Sequence, residues 1–275
     1  MALFVNTNQD SITVQRHLEE SGLSVRQSLE RLSSGLRINN AYDDAAGLAI
    51  ADKLQRDTRV AAQAIRNAND GLSALAIGEK ALGNVNDIIT RLSELASESA
   101  TGTVSDTQRS AIQAEFSALL SEITRLSNVT TFNGVQLLSS GTTVALQVGL
   151  DGTTNSQISF STVDGSLSGI LSGQTSIAAS SQSSAQSALG ILTSAIQNVA
   201  TTRGTLGAYE SRLLTAIQTL RVAKENFAAA EGQIRNADVA AESANLARAT
   251  ILQQAGVAVL AQANQQPALA IQLLR

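Results

Sequence analysis

The chain has 275 residues, a formal net charge of −4 and an apolar fraction of 43%, of which little is aromatic. This near balance of charges argues against a generic nucleic-acid-binding surface, and the absence of cysteine excludes disulfides, thiolate metal sites and a cysteine nucleophile. With a single histidine, a multi-histidine metal site is impossible, and we expect no enzyme, cofactor or metal. With a single proline, very long helices are permitted.

Residues 1–42 form the first predicted segment, a helix followed by a connector. Apolar side chains recur three or four positions apart on this helix, with Gly22 in one of the positions, and the helix ends near Gly35. They are Val14, Leu18, Val25, Leu29, Leu32 and Leu36. Asp43 and Asp44 then provide an N-cap and favourable negative charge for a new helix start.

Residues 43–130 predict two helices that fold back on each other. The first runs from about Ala45 to Ala100. Gly71 and Gly78 within it each cost the helix about 1 kcal/mol, so either packing offsets this cost or close approach of another element requires glycine. Ser105 and Gln108 are spaced as a capping box for the second helix, which ends around Asn128.

The stretch 131–182 changes character. Residues 144–148 and 157–161 have strand composition, and the sequence DGTTN between them predicts a turn, so we expect a β-hairpin. Serine, threonine and glycine dominate the remainder. That composition indicates an exposed, loop-rich surface; hydroxyls that carry O-linked sugars are the alternative.

Residues 183–238 predict a helix with a regular heptad seam. Its large positions are Leu206, Tyr209, Leu213, Leu220, Phe227 and Ile234, and alanine fills most of the alternating positions. Small residues permit a partner helix to approach closely, and the N-terminal half supplies one. The chain is therefore predicted to be mainly α, a long antiparallel helical hairpin or coiled-coil bundle with a small β-hairpin region.

The final segment, residues 239–275, is apolar on every side of its predicted helix, which requires burial on every side. The N-terminal helix can pair with it but covers only one face. We therefore expect the ends to fold upon burial against other copies and to be disordered in the monomer. Such a repeating heterologous contact builds rings or helical filaments. The predicted self-assembly interface consists of Leu18, Leu29, Leu32, Leu36, Ile251, Leu252, Val257 and Leu260.

Several longer strings closely resemble the bacterial flagellin family. They are ERLSSGLRIN at 30–39, DDAAGLAI at 43–50, RNANDG at 66–71, TFNG at 131–134 and ILQQAGVAVLAQANQ at 251–265, with LLR at the end. The resemblance covers about residues 1–138 and 185–275. It implies a short flagellin without the large variable outer domains of many family members.

The resemblance implies the structural subunit of a bacterial flagellar filament, a secreted and extracellular polymer for swimming motility. In the family, the two termini pair as a coiled coil that lines a central channel, and the long helices form an outer tube. Implied partners are other copies of the chain, the flagellar type III export apparatus, a secretion chaperone, the filament cap and hook-junction proteins. No nucleic acid or membrane is expected to bind.

The family also implies recognition by the Toll-like flagellin receptor, at positions matched here by Arg91, Leu95 and Glu115. Packing between subunits is the alternative role of these residues. A hook–filament junction protein, which shares the terminal helices, is the rival function. A signalling helical hairpin would need a membrane segment or linker, and no such segment is expected.

Overall fold

The computed structural model describes residues 7–139, 141–174 and 177–273, with side chains in the last helix described up to residue 265. Its helices are α1 (Gln9–Ser34), α2 (Ala45–Ser99), α3 (Asp106–Val129), α4 (Leu167–Ile170), α5 (Gln182–Arg235) and α6 (Val239–Leu273). Its strands are β1 (Thr131–Phe132), β2 (Val135–Gln136), β3 (Thr143–Gln147) and β4 (Gln157–Ser161). Two compact units result, a terminal unit up to Asp57 and from Asn226 onward, and a central unit, Thr58–Glu225.

The terminal unit is built on α1 and α6, which pack antiparallel, as the sequence predicts. At one end Asn8 donates from its side-chain amide to the carbonyl of Ala263 at 2.9 Å, and at the other Arg31 lies 3.8 Å from Glu242. Asn8 also caps α1 by accepting from the Ser11 amide. Gly35 ends α1 in the left-handed conformation, with φ of 72°, where glycine carries no Cβ penalty.

Backbone hydrogen bonds join the break after α1 to the break between α5 and α6. The amide of Arg37 donates to the carbonyl of Arg235 at 2.7 Å, and the amide of Ala237 donates to the carbonyl of Gly35 at 3.0 Å. Leu36 and Asn236 consequently form an antiparallel bridge. The two connectors thus satisfy each other's backbone groups, a pairing that the sequence pattern does not reveal.

The two aspartates before α2 have separate roles, whereas the sequence assigned both to the helix start. Asp44 caps α2 by accepting from the Gly47 amide at 2.8 Å. Asp43 instead accepts from the backbone amides of Asn39 and Asn40 in the connector. The hydrogen bond from the Asn40 amide is the main cause of a lowered pKa for Asp43, and the Arg31 charge lowers it further.

The central unit has an aliphatic core between α2, α3 and α5. Buried side chains include Leu75, Leu82, Ile89, Leu92, Phe116, Ile123, Leu192 and Leu213. A Cβ on Gly71 would lie 2.1 Å from the Leu146 side chain and 3.3 Å from the Leu213 side chain. Gly71 is therefore the point where both β3 and α5 approach α2, as its place inside the helix predicts.

Helix α3 begins at the predicted capping box, in which Ser105 and Gln108 bond each other's backbone amides. One turn later, the buried Arg109 donates to the carbonyls of Ser99 and Thr101, both at 3.0 Å. The Ser99 carbonyl ends α2, and the Thr101 carbonyl, which also accepts from the Val104 amide at 3.3 Å, lies two residues beyond it. Arg109 thereby fixes the α2–α3 turn, here defined as residues 100–105.

The middle segment contains the predicted hairpin, with β3 and β4 antiparallel and Leu146 opposite Ile158. A second, short hairpin of β1 and β2 was not predicted, and Asn133 and Gly134 form its turn with positive φ. The predicted exposed, loop-rich surface holds for only part of this segment. Its scattered apolar side chains enter the core because burial removes them from water: Leu137, Leu138, Phe160, Ile170, Leu171, Ile177 and Ala179.

Candidate self-assembly surface

The paired α1 and α6 leave much of their apolar surface uncovered. Of the predicted interface residues, Leu29, Ile251, Leu252 and Val257 are each at least 51% exposed. Leu18, Leu32, Leu36 and Leu260 are half-buried. Four residues of the predicted self-assembly interface are therefore partly covered by the chain itself, and the other four remain exposed to solvent.

Additional exposed apolar side chains extend this surface beyond the predicted set. They are Ile12, Leu23, Val239 and Val259. Monomeric proteins seldom leave such contiguous apolar area uncovered unless it binds something. We name the exposed apolar residues of α1 and α6 together the terminal face: Ile12, Leu23, Leu29, Val239, Ile251, Leu252, Val257 and Val259.

A groove of about 500 Å³ lies between the two helices within the terminal face. Val14 and Leu18 line it from α1, and Leu252, Gly256 and Val259 line it from α6. A Cβ on Gly256 would come 3.3 Å from Leu18, so glycine permits the close packing of the helices here. From Ala249 onward the sequence of α6 carries no charged side chain up to Leu274. The α6 wall of the groove is therefore apolar, whereas the α1 wall also carries the polar side chains of His17 and Glu20.

The seam residues of α5 fall in both units. Leu206, Leu213 and Leu220 are buried against the central unit, and Tyr209 is half-buried with its ring 6.2 Å from that of Phe160. Phe227 and Ile234, in the terminal unit, are only half-buried. Ile217 is also buried although it lies off the predicted list. Its burial follows from the contact of α5 with more than one element, which widens the apolar stripe.

The predicted receptor positions do not share one exposed surface. The Arg91 guanidinium donates to Glu115 on α3 at 2.9 Å and to Glu94 at 2.9 Å, and these hydrogen bonds raise its pKa. All three side chains are exposed. Leu95 is only 2% exposed and belongs to the core, so its assignment as a direct contact is corrected to a packing role.

Within the ranges given above, no group of three or more histidine, cysteine or acidic side chains is placed to hold a metal. No helix in the described part of the chain is long and apolar enough to cross a membrane.

Comparison with known families gives two matches that together span most of the chain. Residues 5–143 match the bacterial flagellin N-terminal helical region. Residues 189–274 match the bacterial flagellin C-terminal helical region. The interval between the two matches contains β4, α4 and the start of α5.

Individual relatives align along nearly their whole length. The chain is 39% identical to a flagellin of Halalkalibacterium halodurans, over 99% of this chain and all of that protein. It is 35% identical to a flagellar filament 33 kDa core protein of Treponema phagedenis, over 99% and 100% of the two chains. A Vibrio parahaemolyticus structure described as a flagellar hook-associated protein covers 70% of this chain with a TM-score of 0.60. This chain covers 100% of it at 14% identity, so that likeness shows the fold alone.

Proposed function

This chain belongs to the bacterial flagellin family, and we propose that its terminal face is the surface through which copies assemble. The chain is a structural subunit of the bacterial flagellar filament, whose role is motility. The rival role at the hook–filament junction has less support, because its resemblance is confined to the fold.

The exposed terminal face is the observation that carries this assignment. Burying a leucine or isoleucine side chain contributes about 1.5–3 kcal/mol. Leu252 and Ile251 gain less than half of that from the chain itself, because both are more than half exposed. Neighbouring copies supply the missing cover, and a contact between unlike surfaces then repeats to give a helical filament.

Substitution of Leu252 by aspartate tests the terminal face. Its side chain is already exposed, so the variant chain is expected to fold. Assembly would bury an unpaired carboxylate, and we expect loss of filament growth on preformed seeds, measured by light scattering and electron microscopy.

Gln254→Glu is the matched control, because it adds the same charge to an exposed polar position of the same helix. It is expected to retain more growth than Leu252→Asp. Filaments of normal length and yield from Leu252→Asp would refute the assignment of the terminal face.

The implied partners follow from the family role. We propose that the chain passes through the flagellar type III export apparatus with a secretion chaperone, meets hook-junction proteins and the filament cap, and resides outside the cell. An apolar terminal face needs cover before assembly, which is consistent with a chaperone. Co-purification of chain and chaperone from the cytoplasm, lost on deletion of α6, would test this step.

Recognition by the Toll-like flagellin receptor is proposed for Arg91 and Glu115, without Leu95. Their ion pair joins α2 to α3 on an exposed surface of the central unit. Exposed ion pairs of this kind contribute little to stability. The two side chains can therefore exchange this ion pair for contacts with a receptor. The test compares receptor binding by the monomer and by the intact filament, and we expect binding by the monomer alone. Equal binding by both would contradict burial of this surface on assembly.

A further inference from the structure

A polar cavity lies between the paired helices α1 and α6. Its volume is about 250 Å³, which is below the roughly 300–1,000 Å³ of pockets that take drug-sized molecules. Residues three or four positions apart share one face of a helix, so each helix presents three polar side chains to it. They are Gln27, Ser28 and Arg31 from α1, and Glu242, Asn245 and Arg248 from α6. We name this the arginine cavity, and its size indicates a small ligand.

Arg31 brings unused hydrogen-bond donors to the arginine cavity. Its side chain is 25% exposed, and its Nη atoms lie 3.8 Å from the carboxylates of Asp43 and Glu242. Those distances exceed the roughly 2.7–3.2 Å of a hydrogen bond from nitrogen to oxygen. Its Nε atom is buried and has no hydrogen-bond partner among the residues that the structure describes. Because buried donors in proteins nearly always have an acceptor, an acceptor from outside the chain can complete the bonding of this guanidinium.

Two further groups of the cavity lining are buried and lack partners. Ser28 is 5% exposed and Glu242 is 9% exposed. Neither the hydroxyl nor the carboxylate forms a hydrogen bond with any residue in the described part of the chain. A hydroxyl can donate or accept, whereas an ionised carboxylate can only accept. A ligand that satisfies both groups must therefore carry a proton donor for Glu242.

The lining of the arginine cavity is positive by one charge. It holds two guanidinium groups and the single carboxylate of Glu242. Arg248 is exposed and forms no ion pair with a described residue. Asp43 does not line the cavity, and its carboxylate already accepts from two backbone amides of the connector. Since a guanidinium presents paired N–H groups to the oxygens of an oxyanion, the lining fits a small oxyanion.

We propose that the arginine cavity binds inorganic phosphate. The phosphate oxygens accept hydrogen bonds from Arg31, Arg248 and Ser28, and its remaining P–OH donates to Glu242. Sulfate has the same shape and, at pH 8, the same double negative charge, but it has no proton to give to that carboxylate. Phosphate bound here contacts both helices and stabilises their pairing by mass action. The inference goes beyond the filament role and does not depend on it.

Equilibrium dialysis of filaments against labelled inorganic phosphate, at pH 8 and constant ionic strength, tests the site. Saturable binding of about one phosphate per copy is expected. Sulfate and glycerol phosphate are the competitors, and each is expected to bind at least about tenfold more weakly, because a site that accepts a proton from its ligand rejects an analogue without one. Glycerol phosphate has lost that proton at pH 8, since the second pKa of a phosphate monoester is about 6. Equal competition by sulfate overturns the assignment of phosphate.

Substitution of Arg248 by glutamine tests the location of the site. The side chain is exposed, so the variant is expected to fold, and its helix content is checked by circular dichroism. Loss of the charged donor should weaken phosphate binding about tenfold or more. Arg26→Gln is the matched control, because Arg26 is an exposed arginine of α1 that does not line the cavity. It should bind phosphate within about twofold of wild type.

Substitution of Glu242 by glutamine tests the selectivity. The side chain keeps its size, but its amide can now donate to an oxyanion. Sulfate should bind the variant more tightly than it binds wild type, and the preference for phosphate should fall to about threefold or less. An unchanged preference overturns the role of Glu242.

The remaining outcomes separate the phosphate site from the filament role. Absence of saturable phosphate binding, or equal losses in Arg248→Gln and Arg26→Gln, overturns the site while the filament role stands. A chain that forms no filaments overturns the proposed function, and the same dialysis on the unassembled chain then decides the phosphate site.

Discussion

Arg109 shows how one buried charge is held without a loss of stability. Its guanidinium bonds the carbonyl of Ser99 in α2, the carbonyl of Thr101 in the α2–α3 turn and the carboxylate of Asp106, each at 3.0 Å. A buried arginine is expensive to desolvate unless it is satisfied in this way. The sequence alone predicted the capping box beside it but gave Arg109 no role.

Replacement of Arg109 by methionine is expected to destabilise the central unit by about 2–3 kcal/mol. The side chain keeps a similar length but leaves the Ser99 carbonyl without its donor and removes one of the two donors to the Thr101 carbonyl. Urea unfolding followed by circular dichroism measures the change. Arg125→Met is the control, because Arg125 likewise pairs with an acidic residue three positions earlier, Glu122, yet is exposed and caps nothing. A loss of stability no greater than that of the control would contradict the capping role.

Asp43 predicts an acid sensitivity of the terminal unit. Its pKa is lowered in the folded chain, chiefly because the Asn40 amide donates to it. A carboxyl group with a lowered folded pKa stabilises the fold above its unfolded pKa, about 3.9, and this contribution is lost as pH falls through the folded value. Asp43→Asn should therefore lower the melting temperature at pH 7 and have progressively less effect below pH about 4, measured by calorimetry of the monomer. A difference that stays constant down to pH about 2 would refute the linkage.

The helices differ in how much of their surface the chain itself can cover. α5 has buried residues along its central-unit part, from Ala185 to Leu220, because α2 and the hairpin pack against it. α6 has few, Glu242, Ala249 and Ala263 among its described side chains, although its sequence is the more apolar. Sequence periodicity distinguishes these helices: a heptad seam indicates burial along one stripe, and an apolar surface on all sides indicates burial all round.

Hydrogen exchange should reflect this difference. In the monomer, the amides of α1 and α6 are expected to exchange faster than those of α2 between Leu82 and Leu95, because few buried contacts oppose local opening. In the filament, α1 and α6 should gain protection while the α2 segment changes little. Equal and strong protection of all three segments in the monomer would contradict the expectation that the ends fold on assembly.

At the scale of the whole chain, the boundaries of the two compact units differ from the segment boundaries predicted from the sequence. The predicted boundaries follow helix breaks near residues 42 and 238, whereas the units meet within α2 and α5, at Asp57 and Asn226. A long helix has no local signal where one set of packing partners gives way to another. The five segments predicted from the sequence therefore remain a prediction about how the chain is organised in the assembly. The two units describe how residues pack within one chain.

The sequence by itself determined the helical class, the order of elements, the hairpin of β3 and β4, the capping box and the family. These depend on local spacing, turn chemistry and strings of residues that stay together along the chain. The tertiary structure alone decided the burial of Leu95, the pairing of Leu36 with Asn236 and the cap formed by Arg109. Each joins residues distant in sequence or from separate elements, and only packing in three dimensions brings such residues together.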